Sequence, residues 1–206
     1  MLPFMKEGVE IGVDEAGRGP LFGRVYTAAV ILDETFDHSK VKDSKKFTSK
    51  KKIKEVSDYI KSNAVAWSIT YADEKVIDEI NILKATMKSM HESIQNLLDK
   101  KPDHLLIDGN YFKPFVRVID EKLVHIPYTC VEKGDNTYTS IAAASILAKV
   151  ARDEYILDLC DKHPELLLYG IEKNMGYGAK KHMDAIKEHG VTEWHRKSYK
   201  PCKVSL

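Results

Sequence analysis

From Asp73 to Asp99 the apolar residues Val76, Ile80, Leu83, Met87, Met90, Ile94 and Leu97 recur at intervals of three and four, the period of one long amphipathic helix. Pro102 ends it, and His104 to Ile107 then form a short apolar run closing on Asp108 and Gly109, which reads as a buried strand. Before the helix, Val65, Trp67, Ile69 and Tyr71 alternate strictly, as in a half-buried strand. Ser49 is placed to cap a helix carrying Ile53, Val56 and Ile60 and ending near Ser62. Glu10 to Val13 and Arg24 to Leu32 read as two more strands, joined by the turn composition GRGPLFG in a hairpin whose loop lies close to Asp14.

Leu123 to Val131 is a further strand candidate. Thr139 to Leu159 is a helix whose Ala142, Ala143, Ala144, Ser145 and Ala148 permit close packing. The order ββ, α, β, α, β, β, α implies an α/β domain with a mixed sheet flanked by helices, over residues 1–161. Residues 162–206 are richer in Gly, His, Lys and aromatics, with a helix from about Ala179 to Glu188 stopped by Gly190. No linker or repeat separates them, so they are expected to pack on the main domain as an extension.

A net charge of +1 offers no global argument for a polyanionic partner, so any nucleic-acid case must be local. Cys130, Cys160 and Cys202 lack a CxxC arrangement and support neither a disulfide framework nor a zinc ribbon. No signal peptide or membrane span is legible, and the expectation is a soluble, cytoplasmic monomer.

In open α/β sheets, ligands gather where strands end, and Asp14 and Asp108 fall there with Glu15 beside the first. Hard divalent cations take oxygen ligands of this kind, and anions set so close repel unless a cation intervenes. Spacing alone leaves a second reading open, in which the three acids serve separate caps and turns. Gly17 and Gly19 lack side chains, so a ligand could approach the main chain of Gly17, Arg18 and Gly19 closely, with Arg18 reaching a phosphate; the bland alternative is a plain hairpin turn. Lys45, Lys46, Lys180, Lys181, Arg196 and Lys197 cluster locally and suit phosphate contacts. His182 and His195 read as loop or phosphate-contact residues rather than metal ligands, and Lys133 and Lys149 as solvated charges.

Several ordered motifs carry a resemblance. GVDEAGRGPLFG, DSKKF at Asp43–Phe47, the NIL of Asn81–Leu83, LIDGN at Leu106–Asn110, KGDNTYTSIAAASILAKVARD at Lys133–Asp153, YGIEKNMGYGAKKH and HRKSY are together similar to the ribonuclease HII family over nearly the whole chain. The resemblance implies a ribonuclease H-like five-stranded mixed sheet with a C-terminal helical, substrate-binding extension. It also implies four metal-site acids at Asp14, Glu15, Asp108 and Asp135, holding two Mg2+ or Mn2+ ions. The implied activity is endonucleolytic cutting of the RNA strand of RNA/DNA hybrids, and of DNA beside a single embedded ribonucleotide, leaving 3′-hydroxyl and 5′-phosphate ends. Tyr177, in the GYG segment, is implied at the junction between ribonucleotide and DNA.

Two departures stand out: Arg24 where the family often has Pro, and Asn174-Met175 where it often has Lys-His, which removes positive charge next to Tyr177. Two rival readings remain. One is a ribonuclease HIII-like hybrid nuclease, against which counts a chain that begins almost at its first strand; the other is a hybrid-binding module without catalysis.

Overall fold

The computed structural model describes residues 1–41, 49–119 and 121–203. The DSKKF segment, with Lys45 and Lys46, therefore lies outside the described residues. Strands β1 (Glu10–Ala16), β2 (Val25–Ile31) and β3 (Ala66–Ala72) form an antiparallel meander. Strand β4 (His104–Asp108) then pairs parallel to β1, a return that needs the long connection between Ala72 and His104. Strands β5 (Val116–Ile119) and β6 (Lys122–His125) make a separate two-stranded ribbon, and β7 (Tyr128–Val131) adds to β4 in parallel. The main sheet has the order β3-β2-β1-β4-β7. In the β1–β4 register the last pair is Val13 with Ile107, so Asp14 and Asp108 leave the paired region side by side.

Helix α1 (Lys50–Asn63) begins at Ser49, whose hydroxyl accepts from the Lys52 N–H. The helix expected over residues 73–99 is two helices, α2 (Glu74–Ile80) and α3 (Ile82–Gln95). Asn81 breaks it, at φ 68° and ψ 163°, while its side chain accepts from the Lys84 N–H and starts α3. This backbone region favours glycine, and the side-chain cap holds Asn81 in it, so a single residue both ends and begins a helix. The apolar period runs through the break because its halves fill different cores: Ile77 packs with Val25 and Ala72, whereas Met87, Met90 and Ile94 pack with Ile11, Val13 and Ile107.

Three further expectations are corrected. The strand expected over Leu123–Val131 is divided between β6 and β7 at Ile126 and Pro127, because Ile126 turns into the core. Strand β1 continues through Asp14 and Glu15 to Ala16, so these acids lie within it. The alternating apolar face of β3 is the wetter one, with Trp67 and Tyr71 exposed and Ser68 and Ala72 buried. The polar face is satisfied internally: Thr70 Oγ1 donates to the Ser89 carbonyl at 2.7 Å, Thr27 and Ser89 hydroxyls meet at 2.7 Å, and Asn96 Nδ2 donates to Ser68.

Helix α4 (Thr139–Lys162) crosses β1 so closely that a β-carbon on Gly12 would stand 2.3 Å from the Ser140 carbonyl carbon. Ala142, Ala143, Ala144 and Ala148 are fully buried there, the close packing that the small residues allow. Short α5 (Ile171–Asn174) and α6 (Lys180–His189) follow. Leu166, Tyr169, Ile171, Ile186 and Cys202 share a core with Ile156 and Leu159 of α4 and with Leu21 and Phe22 of the first hairpin turn. Among the described residues no helix is long and apolar enough to cross a membrane.

Candidate active site

Asp14 is 5% exposed and Asp135 4%, while Glu15 and Asp108 are half-buried. Asp14 Oδ1 accepts from the Glu15 N–H at 2.6 Å, and Ser145 of α4 also bonds its carboxylate. Asp108 Oδ1 accepts from the Gly134 N–H at 2.7 Å, which ties the end of β4 to the turn carrying Asp135. Glu15 Oε1 pairs with Arg18 Nη1 at 3.3 Å.

Burial, then Glu15, then Asp108 push the Asp14 carboxyl well above the usual carboxylate range. Burial also raises Glu15, Arg18 opposes that rise, and Asp108 adds to it. Asp14, Glu15 and Asp108 therefore share one electrostatic neighbourhood. Among the described residues no three His, Cys, Asp or Glu side chains are already gathered as an ion-binding set, and each of these acids turns an oxygen to a local partner. The donor chemistry nonetheless fits a hard divalent cation: the ligands are carboxylate oxygens, and their mutual repulsion is what a cation offsets.

The turn after β1 is held from beneath by arginines. Arg196 is fully buried, which corrects its expected place in a surface phosphate-binding cluster. Its guanidinium donates to the carbonyls of Gly17 (2.7 Å), Arg18 (3.0 Å), Pro20 (2.8 Å) and Gly23 (2.8 Å). These carbonyls and the Tyr199 hydroxyl occupy the guanidinium, and its full burial keeps it from a phosphate at the surface. A peptide plane sets its N–H opposite its C=O. With the carbonyls of Gly17 and Arg18 drawn to Arg196, the N–H groups of Arg18 and Gly19 face the other way.

Arg152 of α4 supports the same loop, donating to the carbonyls of Phe22, Arg24 and Met175. Burial and the neighbouring Arg196 lower its pKa to about 10. Arg24 lies 4.0 Å from the Tyr71 ring centroid and 4.3 Å from that of Tyr155, which clamps the hairpin edge.

Tyr177 is half exposed at 52%, on a loop whose backbone is held by several hydrogen bonds. The Leu21 N–H donates to the Gly176 carbonyl and Arg152 to that of Met175. Asn174, read from sequence as a loss of charge, braces the turn: its Oδ1 accepts from the Gly176 N–H and its Nδ2 donates to the Tyr169 carbonyl. Glu15, Ala16, Gly17 and Tyr177 line one cleft of 260 Å³ with Ser145, Lys149, Arg152 and Asp153 of α4. A larger cavity of 640 Å³, lined by Phe4 to Val9 with Leu32, Val65 and Lys100, contains none of the acids at issue.

Lys180 is exposed and pairs with Asp184 at 2.6 Å, while Lys181 donates to the Leu167 carbonyl. His182 and His195 are fully buried, not surface contacts for phosphate. Of the α4 residues of the cleft, the sequence reads Ser145 only as a small packing residue and Lys149 only as a solvated charge, although Ser145, Lys149, Arg152 and Asp153 follow helical spacing and mark one polar stripe. The adjoining alanines masked it. Lys149 is engaged with Asp153 at 2.5 Å.

Comparison with known proteins gives the family and the fold. The family model described as ribonuclease HII matches residues 11–202. The ribonuclease HII of Parabacteroides distasonis is 46% identical over 200 residues, which cover 97% of this chain and 94% of the relative. Among solved structures, ribonuclease H2 from Pyrococcus horikoshii OT3 superposes with a TM-score of 0.73 at 23% identity, covering 95% of this chain and 96% of the other. A Bst-RNase HIII structure in complex with Mn2+ gives a TM-score of 0.74 at 22% identity, covering 95% of this chain and 68% of that one. At such identities the two structures speak for the fold, a ribonuclease H-like mixed sheet flanked by helices.

Proposed function

The chain belongs to the ribonuclease HII family and so is a ribonuclease H enzyme; from that premise we propose that it hydrolyses the RNA strand of RNA/DNA hybrids and cuts duplex DNA on the 5′ side of an embedded ribonucleotide, leaving 3′-hydroxyl and 5′-phosphate ends. The observation that carries the reading is the shared cleft, in which Glu15, the Gly17 turn and Tyr177 line one wall-to-wall space. Asp14, Glu15, Asp108 and Asp135 would hold two Mg2+ or Mn2+ ions. The chemistry such ions supply is activation of water and stabilisation of charge on the departing 3′ oxygen.

The chain's own groups orient the substrate. The N–H groups of Arg18 and Gly19, turned away from Arg196, are donors aimed where a sugar hydroxyl or phosphate can approach, and the missing side chain at Gly19 leaves room. Tyr177 offers its half-exposed ring to the sugar or base at the ribonucleotide-to-DNA junction. Lys180, Lys181 and the extension from Lys162 onward lie along the flanking duplex and contact phosphates without reading sequence. The enzyme acts as a monomer in the cytoplasm, in ribonucleotide removal and replication.

The test compares a duplex holding one ribonucleotide with an all-DNA duplex, for wild type and Asp108→Asn, with Mg2+, Mn2+ or chelator. The expected result is metal-dependent incision 5′ to the ribonucleotide, abolished by the substitution. Equal cutting of the all-DNA duplex would remove the specificity, and binding without cutting would favour a non-catalytic hybrid-binding module.

A further inference from the structure

Between α6 and the segment before Arg196 lies a histidine pair with no part in the chemistry above. His182 and His195 are both fully buried, with their Nε2 atoms 3.0 Å apart. Phe22 and Tyr169 rings enclose them, at 5.1 Å and 5.2 Å from the His195 ring. We propose that this pair is a positioning device for Tyr177, in which His182 holds the Tyr177 carbonyl and His195 dictates which nitrogen of His182 carries the proton.

The hydrogen bonds leave one neutral arrangement. The Thr192 N–H points at His195 Nδ1 from 2.9 Å and the Thr192 hydroxyl lies 2.8 Å from the same atom; a backbone N–H can only donate, so that nitrogen is bare and the hydroxyl, which can turn its proton either way, donates to it as well. The proton of neutral His195 is then on Nε2 and is donated to His182 Nε2. His182 in turn carries its proton on Nδ1 and donates it to the Tyr177 carbonyl at 2.8 Å. The chain of bonds thus runs in one direction, from the amide of Thr192 to the carbonyl of Tyr177. A further proton on either ring would set N–H against N–H. Burial lowers both pKa values, in keeping with a neutral pair.

The direction matters because of what each end is joined to. Thr192 and His195 lead directly into Arg196, which holds the carbonyls of Gly17 and Arg18. Tyr177 stands on the other wall of the same cleft. The pair therefore sets the spacing of the two walls through bonds of fixed polarity.

The substrate side of this inference rests on the proposed contact of Tyr177 with the junction, and its test separates the two. An Asn side chain places its amide donor near the position of Nδ1, and a Gln side chain near that of Nε2. In the full-length protein, His182→Asn is expected to keep kcat near the wild-type value on the one-ribonucleotide duplex, whereas His182→Gln lowers it about tenfold, toward Tyr177→Ala, by displacing the ring. Nitrogen-15 spectra of the wild type should show His182 protonated on Nδ1, the less common neutral tautomer in free histidine.

A proton on His182 Nε2, or equal losses of kcat in both variants that track their unfolding midpoints, overturns the positioning role in favour of plain packing. Wild-type cutting by Tyr177→Ala instead removes the substrate role of Tyr177. In that case the Tyr177 ring resonance still decides: displacement in His182→Gln but not in His182→Asn upholds the relay, and equal displacement overturns it.

Discussion

The side chain of Arg152 lies against the α-carbon of Gly17, where a β-carbon would come within 2.2 Å of Nε. Gly17 also sits at φ +96°, in the region that side chains disfavour. Contact and conformation both demand glycine at the point where the acid-bearing strand turns toward Tyr177.

Gly17→Ala is accordingly expected to destabilise the protein by about 2–4 kcal/mol, the sum of backbone strain and a forced shift of a buried side chain. Gly190, at φ +78° with open space around it, provides the comparison. Gly190→Ala should cost only about 1–2 kcal/mol of strain and leave incision unchanged. Denaturant unfolding and incision rates of both variants check this, and equal costs would show that Arg152 moves aside freely.

Replacing Arg196 should be among the most damaging changes. Arg196→Met leaves the carbonyls of Gly17, Pro20 and Gly23 without their donor, the Arg18 carbonyl keeping only the Tyr199 hydroxyl, and a loss of about 3–5 kcal/mol is expected. Arg196→Lys should recover little, since one ammonium cannot span a fork of planar donors. Urea unfolding measures both. A mild Arg196→Met phenotype with weakened salt dependence of duplex binding would instead return Arg196 to the phosphate-contact role.

The raised pKa of Asp14 has a definite sign for stability. A carboxyl that holds its proton more tightly when folded makes the folded state take up a proton between the unfolded pKa, about 3.9, and the raised folded value. Stability from this group is thus fully present below that window and falls as pH rises through it. Asp14→Asn should melt about 2–4 °C higher than wild type at pH 8, with the gap closing on acidification. Manganese should raise the wild-type midpoint more than that of the variant. Melting curves across pH, with and without the ion, test both; a variant that melts lower at pH 8 contradicts the repulsion.

Asn81 combines positive φ with a capping bond to the Lys84 N–H. Asn81→Ala should lose about 1–3 kcal/mol, whereas Asn81→Gly, which relieves the backbone and costs only a few tenths at a cap, should stay within about 0.5 kcal/mol. Chemical denaturation of the pair decides, and equal losses would assign the effect to the side chain alone.

Asp14 and Asp108 stand out in the sequence because apolar runs stop at them, at Val13 and at Ile107, whereas Asp135 enters only through the resemblance. That pattern follows from strand burial, a local property. The helix break at Asn81 was not legible, since Ile80 and Leu83 keep the spacing of one helix while α2 and α3 face different cores. Nor was the burial of Arg196, whose guanidinium bonds the carbonyl of a residue 179 positions earlier. Ser145 was visible only as a small residue, and its bond to Asp14 depends on how closely α4 crosses β1 at Gly12.

By itself the amino-acid order determined which side chains can act as hard oxygen donors, where β1 to β4 and helices α1, α4 and α6 lie, and to which family the motifs are similar. Those are properties of residue type and short-range spacing. Only the tertiary structure decided that Arg152 and Arg196 serve the backbone, that His182 and His195 are buried against each other, and that Tyr177 shares a cleft with Glu15. Whether a cation meets water or a carbonyl is settled by segments far apart in the chain, and local spacing carries no record of that encounter.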